Sequence, residues 1–411
     1  MRKPHSFSRP ATLAWVVFAA CACVDRSDVG AFGADAGAAL PAAPRPASGD
    51  GADAGLEAPA PVTPSTSPLA AGGLSTCGLD ANNGVFCWGD NQYGALGVGS
   101  FDPATSVLPV RVPELAKGVR SVVGGPYAHC AILADGTARC WGYSLFGDIN
   151  GTIQSVQMPT PHDKTGLSND VARITVGTLF VCALTTSGRG KCWGIGGAGQ
   201  LGNGSTNDEF AARDVATTEP LVDIAASMGG FFACAVTRAG GVLCWGKNGS
   251  GQLGSSGTED QPLPVAVKGL DAPSLGVACG REHACALLAD GGVACWGSDA
   301  RGQLGRGTFG KAAANPPARV GGVASATSLA VGGDHACAIA GGRVVCWGAN
   351  RSGQIATGLP VLGPTEAAPT TKAPMAVTAG FEHTCVMSSQ RAITCLGDGS
   401  RQQTGSKDFS L

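Results

Sequence analysis

Cys285-Ala286-Leu287-Leu288-Ala289-Asp290-Gly291-Gly292-Val293-Ala294-Cys295-Trp296-Gly297, followed by Gly302-Gln303-Leu304-Gly305, is the stretch that decides the fold. The two cysteines are ten positions apart, so a hairpin joining them centres on Asp290. The loop is then Ala289-Asp290-Gly291, a type I turn followed by a left-handed residue, a conformation glycine adopts at no steric cost. Cys285 and Cys295 fall directly opposite one another. Opposed residues on antiparallel strands have Cα atoms about 4.5–5.5 Å apart, within the range a disulfide spans.

The same unit recurs along the chain. Cysteine pairs stand at Cys77 and Cys87, Cys130 and Cys140, Cys182 and Cys192, Cys234 and Cys244, Cys285 and Cys295, Cys337 and Cys346, and Cys385 and Cys395, with first members 48 to 53 residues apart. Trp follows the second cysteine in six copies, at Trp88, Trp141, Trp193, Trp245, Trp296 and Trp347; the seventh has Leu396. In the sixth copy the spacing is nine, and a two-residue Gly341-Gly342 loop keeps the cysteines opposed. A cross-strand disulfide requires that register, whereas opposed strand positions without a Cys-x-x-Cys pattern do not build a tetrahedral metal site. Each short loop closed by a disulfide contributes roughly 2.7 kcal/mol in the chain-entropy picture. Cys279 pairs with nothing and aligns with Val331 and Ala379, which predicts a buried free thiol.

An apolar run such as Leu329-Ala330-Val331-Gly332 precedes each hairpin, and a Pro-rich segment such as Leu263-Pro264-Val265-Ala266-Val267 follows it. Each repeat therefore holds four strands. Four-stranded units at a period of about 50 residues are propeller blades, and seven of them can close into a ring without free sheet ends. The expected fold is all-β, a seven-bladed β-propeller with one disulfide-stapled hairpin per blade. A linear β-solenoid is the alternative stacking. No Pro-Val segment follows Gly405, and the residues from Pro61 to Ala71 resemble the missing one, so residues 60–72 are expected to complete the seventh blade.

Composition places the chain in an oxidising compartment. Of 411 residues, 17 are cysteine, most in regular pairs, a usage that reducing compartments rarely sustain. Gly contributes 64 residues without a Gly-X-Y period, in keeping with many tight turns. Net charge is −2 with no basic run, so nucleic acid is not an expected partner. Arg2 and Lys3 precede an apolar run, Leu13 to Ala20, too short to span a bilayer. Residues 1–21 read as a signal peptide whose Phe18-Ala19-Ala20-Cys21 end resembles a bacterial lipobox, with Phe18 where Leu is usual. Cys21 is then the lipidation site and the protein is held at the cell envelope; plain secretion is the alternative, and Cys23 a second candidate. Residues 22–70, rich in Ala, Pro, Gly and Asp, read as a disordered linker reaching roughly 35–40 Å. Residues 71–411 are the propeller.

Gly280-x-x-His283-x-Cys285, Asp290-Gly291, Cys295-Trp296-Gly297 and Gly302-Gln303-Leu304-Gly305 resemble the regulator of chromosome condensation repeat, and the resemblance spans residues 71–405. It implies a seven-bladed propeller. The family's founding members exchange guanine nucleotide on the small GTPase Ran, and secreted bacterial relatives include a β-lactamase inhibitor protein. A fold transfers more safely than a function. The signal peptide removes this chain from cytoplasmic GTPases, and no linker between repeats is long enough for a large wedge-like insertion, which weakens the exchange-factor reading.

No nucleophile elbow, phosphate loop or zinc-protease motif occurs, and no catalytic residue or cofactor is expected. His283, His335 and His383 precede a first cysteine by two residues, in a slot that holds Ser75, Ala128, Phe180 and Phe232 in the other copies. A slot that accepts Phe is structural rather than metal-binding. His129 is shifted by one and belongs to no set. The short tips before each first cysteine share one face of a propeller, and they carry Tyr127, Leu179, Phe180, Phe231, Phe232 and Phe381. Exposed aromatic residues at turn tips are interface anchors. The expected function is binding of a protein or glycan through that face, with Tyr127, Phe180, Phe231, Phe232 and Phe381 as contacts. A structural scaffold and a secreted enzyme inhibitor are the alternatives.

Overall fold

In a computed structural model the described residues are 62–64, 66–144, 156–163, 166–310, 315–356, 359–367, 373–405 and 409–411. The signal peptide, Cys21 and the linker up to residue 61 lie outside them. Seven four-stranded antiparallel sheets follow one another along the chain. The innermost strands are Leu69–Ala71, Val119–Gly124, Val171–Val176, Leu221–Ala226, Ser274–Cys279, Ala326–Val331 and Pro374–Ala379, and they define blades 1 to 7. Second and third strands carry the cysteines; the fourth is outermost. Among the described residues the one helix is a single 3-10 turn, Pro113–Leu115.

Every cysteine pair is bonded in the expected register. Cys77 joins Cys87, Cys130 joins Cys140, Cys182 joins Cys192 and Cys234 joins Cys244. Cys285 joins Cys295, Cys337 joins Cys346 and Cys385 joins Cys395. The Cα–Cα distances are 4.0 to 4.1 Å, shorter than the spacing expected for an unbridged pair. Counted from the Leu288–Gly292 bond that closes the loop, Cys285 and Cys295 are a non-hydrogen-bonded pair, the closer of the two kinds. Thirteen of the fourteen are buried; Cys395, followed by Leu396 in place of tryptophan, is half-buried. Gly341 and Gly342 have φ of 56° and 76°, the two left-handed residues of a two-residue hairpin loop. Cys279 is a buried free thiol, and burial pushes its pKa up. The core is a set of blade-to-blade clusters in which side chains of one sheet pack on the next.

The tryptophan and the Gly-Gln-Leu-Gly motif meet across blades. Trp245, Trp296 and Trp347 are fully buried and donate through Nε1 to the main-chain oxygens of Gln200, Gln252 and Gln303 in the preceding blade, at 2.9, 2.9 and 3.1 Å. Trp141 makes the same bond to Ala95. The glycine after Trp296 has φ +96°, and a Cβ on it would lie 2.6 Å from the Glu282 oxygen and 3.2 Å from Gln252 Cα. The motif is thus an inter-blade seam. Trp245→Phe keeps a ring in the seam and removes the donor, leaving a buried carbonyl unpaired; a loss of about 1–2 kcal/mol in denaturant unfolding is expected.

The ends of the chain are arranged differently from the sequence-based expectation. Residues 60–72 do not complete the seventh blade. Leu69–Ala71 pairs with Ser75–Leu79 and is the innermost strand of blade 1, and the outer strand of blade 7 is Phe409–Ser410, paired to Ala392 and Ile393. Sheets are therefore not shared between the two ends. Ring closure runs through side chains instead: Ala71 N–H donates to Thr378 Oγ1 at 2.8 Å, Thr76 Oγ1 donates to Gln403 O at 2.9 Å, and Arg391 reaches Leu79 O and Asp80 O. The boundary at residue 70 also moves. Val62 is buried in the cluster of blades 3 and 4, and its N–H donates to Thr186 O, so ordered packing begins inside the segment read as linker.

Candidate interaction face

Each tip ends one residue before its second strand, at Leu74, Tyr127, Leu179, Phe231, Glu282, Asp334 and Glu382. All seven residues are fixed alike: each carbonyl accepts from the main-chain N–H three residues after the third strand's cysteine, at Asp90, Tyr143, Ile195, Lys247, Ser298, Ala349 and Asp398. The tips therefore form a ring on one face. Its composition is uneven. Blades 1 to 4 present half-buried apolar side chains, and blades 5 to 7 present carboxylates.

The apolar arc continues into an aromatic cluster that gathers all three tyrosines of the chain. Tyr93 lies 5.6 Å from Tyr127 and 5.3 Å from Tyr143, and Phe381 lies edge-on to Tyr127 at 6.3 Å. Such edge-to-face contacts favour one fixed arrangement of rings. Burial, reinforced by Tyr93, raises the Tyr127 hydroxyl pKa. Phe381 comes from blade 7, yet its ring lies against Gly73 of blade 1 and Gly229 of blade 4. It therefore reaches over the propeller axis. The Arg281 guanidinium sits 5.7 Å from its centroid, a cation–π distance.

The acidic arc is internally satisfied. Arg301 Nη1 binds Asp334 Oδ2 at 2.8 Å and Arg281 Nε approaches the same oxygen at 3.6 Å. Ser250 and Ser352 hydroxyls donate to Glu282 and Glu382. Below the tips, a cavity of about 260 Å³ follows the axis between the inner strands. It holds the Arg173–Asp223 pair at 3.5 Å, and burial raises the Asp223 pKa. Among the described residues no three His, Cys, Asp or Glu side chains gather as a metal set.

Of the five aromatic residues read as contacts, the structure keeps three on the face. Tyr127, Phe231 and Phe381 are half-buried at the tips. Phe180 and Phe232 are 1% and 0% exposed, so they are not surface contacts. They are the first residues of second strands, and their side chains point between blades. Sequence reasoning missed Tyr93, Tyr143 and Arg281. Tyr93 stands just before the Gly94-Ala95-Leu96-Gly97 version of the seam motif, a position held by Arg301 and Arg401 in blades 5 and 7; that alignment was the available signal.

The slot occupied by Phe180 and Phe232 has its own logic. Its occupant in one blade faces the next residue position in the following blade. Ser75 pairs with His129 at 2.8 Å, His335 with Thr384 at 2.9 Å, and His383 with Thr76 at 2.9 Å across the ring closure. Phe180 and Phe232 instead meet Ala233 and Ala284 within shared apolar clusters. His129 thus belongs to the set as the partner half of a pair, contrary to the sequence reading. Blade 5 breaks the rule: His283 faces the position of Ala336, and neither ring nitrogen has a partner among the described residues.

Seven closed, stapled, four-stranded blades with a ring of tips define a disulfide-bonded seven-bladed β-propeller. Models of the regulator of chromosome condensation (RCC1) repeat match residues 82–133, 239–287 and 290–339, and, in a second version, 222–252 and 276–303. The chain carries RCC1 repeats, arranged as a seven-bladed propeller. It is 29% identical over 245 residues to the RCC1 domain-containing protein RUG3, mitochondrial, of Arabidopsis thaliana, covering 58% of this chain and 55% of that one. It is 28% identical to the Ultraviolet-B receptor UVR8 of Arabidopsis thaliana, over 58% of this chain and 54% of the receptor. The match to the E3 ubiquitin-protein ligase HERC2 of Homo sapiens is 28% over 58% of this chain but 5% of the ligase. The matched region spans about half the length of these relatives, or far less. Among solved structures, yeast RCC1 (Prp20) bound to Kap60 superposes with a TM-score of 0.68 at 19% identity, over 86% of this chain and 83% of that one. Human WBSCR16 gives 0.68 at 20% identity, over 79% and 88%. At these identities the likeness shows the fold.

Proposed function

We propose that this protein is a non-catalytic interaction module working outside the cytoplasm, held at a cell envelope through a lipid on Cys21, and that it engages a protein partner with its tip face. The observation that carries the reading is the aromatic platform of Tyr93, Tyr127, Tyr143 and Phe381 beside Arg281. Half-buried tyrosine and phenylalanine beside an exposed arginine are the side-chain types that dominate binding energy in protein interfaces. Seven disulfides support an oxidising location. Solved structures of the same fold include yeast RCC1 (Prp20) bound to Kap60, and Prp20p of Saccharomyces cerevisiae, which binds Gsp1p and histones.

The test is affinity capture from an envelope fraction with the oxidised mature chain as bait. Three baits are compared: wild type, a double variant carrying Tyr127→Ala and Phe381→Ala, and Leu275→Ala, whose side chain is 60% exposed at the opposite end of an inner strand. A partner retained by wild type and by Leu275→Ala, and weakened at least about tenfold by the double variant at unchanged melting temperature, is expected. Equal retention by all three baits defeats the tip-face assignment.

A further inference from the structure

The turn face, opposite the tips, carries a second feature, and its origin is the entry of the chain. The innermost strand of blade 1 has three residues, whereas those of the other six blades have six each. The chain leaves the blade upstream of Leu69 to run beneath blade 2. Ser67 O accepts from Val122 N–H at 3.0 Å, Ser67 N–H donates to Ser121 Oγ at 3.2 Å, and Val62 reaches the hairpin turn of blade 3. Where the missing half-strand would lie, a cavity of about 460 Å³ remains. Thr66, Pro68, Leu79 and Met375 line it, together with two arginines, Arg120 and Arg391; no carboxylate lines it.

Both arginines are held by one edge. Arg391 Nη1 donates to Leu79 O and Asp80 O, each at 2.9 Å. Arg120 Nη2 donates to Val171 O at 2.8 Å, while its buried Nε has no partner among the described residues. Among those residues neither guanidinium is ion-paired, although ten of the other arginines are. Asp80, whose main-chain oxygen Arg391 reaches, has its carboxylate occupied by Arg111 and by the N–H groups of Asn82 and Gly84. Burial lowers the Arg120 pKa with no carboxylate to offset it. Arg391 also stands in an unfavourable backbone conformation. Its φ is +62°, at the turn position where blades 2 to 5 have Gly136, Gly188, Gly240 and Gly291. Holding a non-glycine residue there costs about 1 kcal/mol or more, a cost that concentrates at functional positions.

We propose that Arg120 and Arg391 form an anion site on the turn face, taking a carboxylate or phosphate monoester carried on a short apolar group. The guanidinium edges left free supply charge-assisted donors, and their fixed orientation lowers the entropy lost on binding. Pro68, Leu79 and Met375 supply apolar wall for the rest of the ligand. The site is separate from the tip face, so its failure would leave the proposed partner surface standing.

The experiment is calorimetric titration of the mature chain with hexanoate and with phenyl phosphate at neutral pH and low ionic strength; inorganic phosphate separates the free ion from its ester. Arg120→Gln and Arg391→Gly are titrated alongside. The second variant places glycine where four other blades already have it, so the hairpin folds, and a melting curve of each variant checks this. One equivalent of hexanoate or phenyl phosphate should bind, weakened at least about tenfold in both variants and weakened by added salt. No binding of either probe to wild type, or binding that either variant leaves unchanged, overturns the site.

Discussion

Acidification from pH 7 to pH 5 is expected to lower the unfolding free energy by several kcal/mol. The cause is the inter-blade slot. Desolvation pushes the pKa of His129 down to about 4, and those of His283, His335 and His383 down to about 3. In the unfolded chain each imidazole titrates near 6.5. Below that pH the unfolded state takes up protons that the folded state refuses. The stabilisation from keeping these rings neutral and buried is therefore complete above pH 6.5. It falls as pH drops towards 4, by up to about 1.4 kcal/mol per ring for each pH unit. At pH 5 that is about 2 kcal/mol per ring. Asp223 and Asp299, whose pKa values burial raises, act in the opposite sense, because they bind protons more readily when folded. Denaturant midpoints from pH 7.5 to 4.5 at fixed ionic strength check the prediction. A flat profile would mean that the imidazoles are hydrated in the folded state.

Some of this was legible in the sequence and some was not, and the division has a physical reason. The seven hairpins could be read because a cross-strand disulfide tolerates no slip of register: in the sixth copy, loss of one loop residue leaves Cys337 opposite Cys346. The face carrying the tips could be read because each tip keeps its distance from its cysteine. Phe231 and Phe232 could not be told apart. Adjacent residues at the start of a strand point in opposite senses, and Phe232, already paired with Gly246, is turned inward. The pairing of Ser75 with His129 was hidden for another reason: its halves lie on different blades, 54 residues apart. Chain closure was misread because the true last strand is two residues long and carries no Pro-Val signature. The anion site was invisible in sequence. It depends on what is missing, half of one inner strand, and on two arginines brought together from blades 2 and 7.

His283→Phe is expected to stabilise the protein by up to about 3 kcal/mol at neutral pH. In every other slot a polar occupant has a polar partner or an apolar one has an apolar partner; among the described residues His283 alone carries two unpaired ring nitrogens in a fully buried site. An unpaired buried polar group carries a desolvation cost of about 1–3 kcal/mol. The replacement has precedent in the same molecule. Phe180 and Phe232 fill the equivalent slot opposite alanines, as His283 lies opposite the position of Ala336. The backbone floor is also shared, since the His283 ring rests on Gly280 as the Phe180 ring rests on Gly177. Val or Leu would leave a void, whereas phenyl conserves the flat shape of the ring. The variant should also lose about a quarter of the acid sensitivity, because one of four imidazoles is removed. The converse change, Thr384→Ala, strands His335 in the condition His283 already endures, and should destabilise by about 1–3 kcal/mol. Opposite signs for these two substitutions, at adjacent seams, would establish that matching polarity across each seam, rather than the histidine itself, holds the ring together. A loss of stability on His283→Phe would show that an ordered water satisfies that imidazole.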